Sequence, residues 1–216
     1  MKAQLYVPNN LNEITLRQYQ KFVNLKDQDY NEIMIQKKMV SIFCMIKESE
    51  VDKIRYSDVE NITSKLGEMF DQKPNLVKFF KVKGIEYGFI PNLDNISLGE
   101  YIDLDTYIGD WENIHRAMNV LYRPVQNKRQ HQYVIEEYNG EMNNDILDMP
   151  LDAVISSVFF FYHLGRELEI VFQNYLTRLG EKQQADYHSL IKNGDGIAQF
   201  GDSLKGILQD LNISQN

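Results

Sequence analysis

The sequence predicts a mainly α-helical α+β fold, a bundle-like helical core carrying a small hairpin or short antiparallel sheet. Three observations lead there. Apolar residues recur at helical spacing along five segments. Only VKFFKVKGIEYGFIP, Val77 to Pro91, alternates apolar and charged residues with the period of a strand. The 216 residues include 43% hydrophobic and 12% aromatic side chains, enough to close a core in one domain.

Thr15 and Gln18 stand in the spacing of a capping box, with Ile14 placed as a staple, so a first helix is expected over Thr15 to Leu25 with Leu16, Tyr19, Phe22 and Val23 inward. A second runs from Tyr30 to Ile46, its broad face made of Ile33, Met34, Lys37, Met39, Val40, Phe43 and Cys44. Ser57 and Glu60 suggest another capping box, opening a helix with Val59, Ile62, Leu66, Met69 and Phe70 inward and Pro74 beyond its end. Lys83-Gly84 is the turn that would fold Phe79–Val82 against Ile85–Phe89. Two strands alone are marginal in water, and Gln4 to Pro8 is the candidate third.

Ser97 and Glu100 cap the next helix, with Leu98, Tyr101, Ile102 and Leu104 inward. The pattern then continues through Tyr107, Trp111, Ile114, Met118 and Leu121 to a stop at Pro124. Asn127 to Asp145 is polar, contains the Asn139-Gly140 turn signal, and reads as an irregular crossing or arm. The last long helix starts near Asp152 as cap and stops at Gly180; Gly165 inside it costs about 1 kcal/mol relative to Ala and marks a kink or a close helix crossing.

Two stretches resemble each other: YVPNNLNEITLRQYQKF at 6–22 and FIPNLDNISLGEYIDL at 89–104. Each runs from an extended arm ending in Pro, through a polar loop, to a helix capped in the same way. The expected organisation is one globular helix-rich domain over 1–180 containing this short pseudo-repeat, followed by a docking or flexible C-terminal tail over 181–216.

Acidic residues outnumber Lys plus Arg by 31 to 23, a net charge of −8 that argues against a nucleic-acid binder dominated by backbone contacts. The longest apolar-looking run, Ala153 to Gly165, is shorter than the ~20 residues a membrane-spanning helix needs. No apolar export segment follows Lys2, and a single Cys builds no disulfide framework. Synthesis in the cytoplasm is the expectation.

No chemical motif stands out. His115 beside Asp110 and Glu112 reads either as a base or metal ligand or as a rim residue satisfied by one hydrogen bond, and no HExxH accompanies it. The histidines at 115, 131, 163 and 188 lie in separate elements. Asp103, Asp105 and Asp110 read as a cation site or as caps, without the calcium-loop pattern. Cys44 among Phe43, Met45 and Ile46 reads as core. The Gly-rich stretch from Lys192 matches no phosphate-binding loop. Arg123, Lys128, Arg129 and His131, next to Tyr122 and Tyr133, form the one basic cluster with aromatic neighbours and suit a nucleic-acid backbone, an acidic protein partner or solvent. No catalytic residue, cofactor or metal site is therefore expected, and the chain is read as not an enzyme.

ISLGEYIDLDTYI followed by WENIHRAMNVLYRPV resembles a group of tailed-bacteriophage proteins from phages of Bacteroides-type hosts, the crAss-like phages. The matching positions are Leu98 to Leu104, His115 and Leu121 to Pro124, within Phe89 to Val125, under a fifth of the chain. The resemblance implies a structural or accessory protein of the head–tail region, a portal-proximal ring, adaptor or tail component. The alternatives are a tail assembly chaperone absent from the mature virion and a nucleic-acid-contacting accessory protein. It further implies other phage structural or assembly proteins as partners, a homo-oligomer or ring, no membrane, and residence in the host cytoplasm before incorporation in the virion. Because interface cores favour aromatics and Arg, the contact candidates are Tyr107, Trp111, Tyr122, Arg123, Arg129, Tyr133, Phe200, Leu204 and Leu208.

Overall fold

The computed structural model describes residues 5–25, 28–129 and 132–176. The chain folds as a majority-helical α/β protein around a four-stranded antiparallel sheet of order β1-β2-β3-β4, not closed into a barrel. The strands are β1 (Phe79–Val82), β2 (Ile85–Phe89), β3 (Tyr122–Arg129) and β4 (Gln132–Ile135). Four helices precede the sheet: α1 (Leu16–Val23), α2 (Glu32–Phe43), the single turn α3 (Glu48–Val51) and α4 (Tyr56–Phe70). Between β2 and β3 lie α5 (Leu98–Tyr107) and α6 (Ile114–Leu121), and α7 (Leu151–Leu176) ends the described chain. The tail at 181–216, Gly180 and His131 lie outside the described residues.

The hairpin forms as the sequence predicts. Lys83 at φ 50° and Gly84 at φ 83° supply two left-handed residues, the geometry whose twist matches the flanking strands. The rest of the sheet is not where the sequence put its one further strand. Leu5–Pro8 carries no strand, and the sheet is completed by segments read as a helix end and an irregular arm. Pro124 does help to end α6, but the chain leaves it extended. Lacking an N–H, Pro124 contributes its carbonyl, which accepts from Glu136 N at 2.9 Å. The far half of β3 is exposed along its length, so no alternation of apolar residues announced it.

Several helix boundaries also differ. The expected single helix through Asp105–Leu121 is broken between α5 and α6, where Asp110 accepts hydrogen bonds from Glu112 N (2.9 Å) and Asn113 Nδ2 (2.6 Å) and stabilises a turn. Ser57 is not a cap: Asp58 N and Val59 N already bond Arg55 O, so α4 starts before it. Asp152 sits in the first turn of α7 rather than at its cap, accepting from Ala153 N. α2 is shorter than expected, starting at the Asn31 cap and leaving Cys44 into left-handed Met45; Ile33 and Met34 point to solvent, and its buried positions are Met39, Val40 and Phe43. A Cβ on Gly165 would meet nothing within 4 Å, so no close helix crossing explains that residue.

The two similar stretches adopt the same local path. In each, a short 3-10 turn (Leu11–Glu13; Leu93–Asn95) ends in an extended Ile whose N–H bonds the first turn residue, and a complete capping box opens the helix. The N3 side chains then diverge. Gln18 turns its amide to Ile42 O at 3.0 Å, while Glu100 turns to an arginine.

Two aromatic clusters fill the core. Tyr19, Phe22, Phe43, Phe70 and Trp111 join the helical layer, the Tyr19 and Trp111 rings lying 4.7 Å apart. Phe80, Tyr87, Phe89 and Tyr122 share one face of the sheet, and Phe89 meets Phe160 of α7 at 5.6 Å. The fully buried Tyr122 hydroxyl donates to Val77 O (2.7 Å) and lies 2.9 Å from Ser157 Oγ, tying sheet to helix; burial raises its pKa. At the N-terminal end, Leu16 N donates to Met149 O (3.0 Å) and Leu151 N to Ile14 O (2.8 Å), clasping the start of α1 to the start of α7.

On the opposite sheet face, Gly88 lies under β3 and β4: a Cβ there would come within 3.0 Å of both Tyr133 Cε2 and Val125 Cγ2. Gly88→Ala should lower stability by about 1–3 kcal/mol in urea denaturation through overpacking. Gly67→Ala, inside α4 with nothing within 4 Å of the added carbon, should raise it by about 0.5–1 kcal/mol.

Candidate functional site

α5 is rotated opposite to the expectation from its apolar residues. Of the four residues expected inward, only Leu104 is buried; Leu98 is 75% exposed, Ile102 52% and Tyr101 44%. Both choices have helical spacing, since Leu98, Tyr101 and Ile102 fall on one stripe and Glu100, Asp103, Leu104 and Tyr107 on another. The inward stripe carries two carboxylates.

Their partners explain the choice. Glu100 Oε2 accepts from Ser97 N at 2.7 Å as half of the capping box, and Oε1 lies 2.7 Å from Arg123 Nη2 on β3. Both side chains are nearly closed to solvent, 8% exposed for Glu100 and 12% for Arg123. Burial alone would raise the Glu100 carboxyl, but the Ser97 hydrogen bonds and the Arg123 charge outweigh it and hold the pKa below its ordinary value. One turn along, Asp103 accepts from the Tyr138 hydroxyl, whose pKa is pushed up by burial and by that carboxylate. The Arg123 guanidinium lies 5.8 Å from the centre of the Tyr138 ring. The chain after β4 is thus pinned beside α5.

Beneath this cluster is a cleft of about 330 Å³, lined by Tyr87, Asn119, Arg123, Tyr138 and Asn143 and bordered by Glu136. Arg123 Nε is buried there without a hydrogen-bond partner. Asn143 Nδ2 donates to Tyr87 Oη at 2.8 Å and Asn143 N to Asn119 Oδ1 at 3.3 Å, fixing the far wall. Among the described residues no three His, Cys, Asp or Glu side chains come together in a metal-binding group.

The stretch of chain that carries α5 is acidic. From Gly84 to His115 the chain has seven carboxylates, Glu86, Asp94, Glu100, Asp103, Asp105, Asp110 and Glu112, and no Lys or Arg. The nearest arginine on the neighbouring strand, Arg123, is matched by Glu100.

The remaining candidates fall as follows. Trp111 and Tyr122 are core residues, 5% and 1% exposed, and their side chains are taken up inside this chain. Tyr107 is half-buried, accepting from Arg116 Nη1 at 3.0 Å. Tyr133 is half-buried and donates to Phe89 O at 2.5 Å; Arg129 is exposed at the end of β3. The basic cluster does not form one patch: Arg123 is inside, and Lys128 lies over the Phe79 ring at 3.7 Å near Glu86. Phe200, Leu204 and Leu208 are outside the described residues.

His115 is a rim residue. The Gln20 amide nitrogen lies 2.8 Å from Trp111 O, 3.0 Å from Glu112 O and 3.1 Å from His115 Nδ1, and burial, followed by Arg116, holds the imidazole below its ordinary pKa. Cys44 is buried and its thiol is pushed up to about 11 by desolvation, an inert core position.

No family model, curated protein or solved structure matches this chain. No helix among the described residues is long and apolar enough to cross a membrane.

Two outcomes follow, one from the cluster and one from His115. Arg123→Met should cost about 3–5 kcal/mol in urea denaturation because Glu100 stays buried without its counter-charge, while the double variant with Glu100→Leu should recover most of the loss; additive costs would refute the coupling. For His115, the unfolded chain takes up the proton first as pH falls, so stability is complete above pH 6.5 and declines below it toward the lowered folded pKa. His115→Asn should flatten that part of a pH-dependent melting curve.

Proposed function

We propose that the protein acts without catalysis, as a docking component of a tailed-phage particle in its head–tail region. The observation that carries the docking part is α5, a helix that presents Leu98, Tyr101 and Ile102 to water while its inward turn is occupied by an ion pair. Apolar surface held outward by a rigid polar anchor supports a partner contact. The aromatic content as such does not, because many of the described aromatics are taken up in the two internal clusters.

The phage context rests on the resemblance of Phe89 to Val125, the segment from the end of β2 through α5 and α6 into β3. It therefore includes the outward helix. The nucleic-acid alternative is weakened by Arg123, whose charge is spent on Glu100.

Quantitative mass spectrometry of purified particles tests the proposal, with YIDLDTYIGDWENIHR as the reporter peptide. Several copies per particle are expected. A protein abundant in infected-cell lysate yet missing from particles would overturn the virion role in favour of an assembly chaperone.

A further inference from the structure

We infer that the outer face of α5 receives a basic amphipathic helix of another protein. The inference rests on the docking reading and adds the chemistry of the partner.

The geometry of the face sets the shape of the occupant. Leu98, Tyr101 and Ile102 stand at i, i+3 and i+4, so they form one short ridge along a helix about 15 Å long. Such a ridge fits the groove between side-chain rows of a second helix laid alongside. The rotation of α5 is fixed from behind by Glu100 and Asp103, so the ridge cannot turn inward unless both carboxylates lose their partners.

Charge sets the partner's polar face. Asp105 lies one turn beyond Tyr101 and Ile102, and the exposed Asp94 precedes the Ser97 cap. No cation occurs along the chain between Lys83 and Arg116, and Arg116 itself is engaged with Tyr107 at the far end of α5. Lys or Arg flanking the partner's apolar stripe would meet these carboxylates, and a guanidinium can also stack on the exposed Tyr101 ring. A second copy of this chain is a poor occupant of the same face. A symmetric pairing would bring Asp94 and Asp105 of one copy toward the same carboxylates of the other, on a molecule already carrying −8.

The test uses the full chain and two synthetic amphipathic peptides of about five helical turns, identical in their Leu/Phe face, one with Lys/Arg and one with Glu on the polar face. Binding is read by fluorescence anisotropy. A chain of this net charge attracts any basic peptide to some degree, so variants decide the matter. Leu98→Ser with Ile102→Ser should weaken the basic peptide by about tenfold or more. Asp105→Lys should weaken it by several-fold and shrink its advantage over the acidic peptide. All three side chains lie outside the core, and unchanged melting curves verify that the variants fold. Equal binding of the two peptides, or affinity indifferent to the Leu98/Ile102 variant, overturns the inference.

A photo-crosslinker replacing Tyr101 separates this failure from failure of the docking reading. Without peptide it should yield uncrosslinked monomer, and with the basic peptide a peptide adduct. A crosslink to a second copy, or to the chain's own residues after Leu176, keeps α5 as a docking face and rejects the basic partner. Absence of every adduct rejects both.

Discussion

The arrangement of the sheet side of the molecule depends on one buried ion pair. Glu100 must offer one oxygen to the Ser97 N–H and the other to Arg123, and only one rotation of α5 about its axis satisfies both. Removing these charges from water costs several kcal/mol per ion, returned only by good geometry. The pair therefore has a directional effect that apolar contacts lack. It orients α5 on β3, places Asp103 against Tyr138, and through Tyr138 fixes the chain after β4 as the wall of a cleft. The outward position of Leu98, Tyr101 and Ile102 is the other side of the same constraint.

The helical layer and the sheet are joined by aromatic and phenolic contacts. The first cluster gathers rings from α1, α2, α4 and the turn before α6. The second sets sheet rings against α7. Tyr122 belongs to the second cluster through its ring, while its hydroxyl satisfies polar groups of both α7 and the segment entering β1. A Phe at this position would leave Val77 O and Ser157 without that partner in a closed environment.

Local signals in the sequence were legible where local chemistry decides the structure. The Thr15/Gln18 and Ser97/Glu100 boxes, the Lys83-Gly84 turn and the inward residues of α4 all form as their spacing predicts. The misreadings share a cause. Strands β3 and β4 are specified by pairing partners distant in the chain and by a proline that ends a helix and then enters a strand, which polar composition concealed. The facing of α5 was read backwards because two stripes compete at the same period, and the stripe that won owes its burial to Arg123, over twenty residues away. No spacing rule connects a cap residue to an arginine on another element. Trp111 and Tyr122 looked like contact residues for the converse reason: their place inside depends on the helices and strands packed around them.

The clasp between Ile14–Leu16 and Met149–Leu151 bears on the order in which the chain can become structured. It closes a loop spanning most of the described chain, and such long-range contacts are reached late because loop entropy must be lost before they form. During synthesis, α1 cannot settle against its final neighbour until the start of α7 has left the ribosome. By contrast, β1, β2, α5, α6, β3 and β4 are contiguous in sequence and pair chiefly with one another. The polar contacts that orient the α5 ridge all lie within Ser97–Tyr138, so they can form on a nascent chain before α7 covers the aromatic face of the sheet. A ligand of that ridge would find its site before the molecule is complete, and the timing of translation would help set the order of assembly.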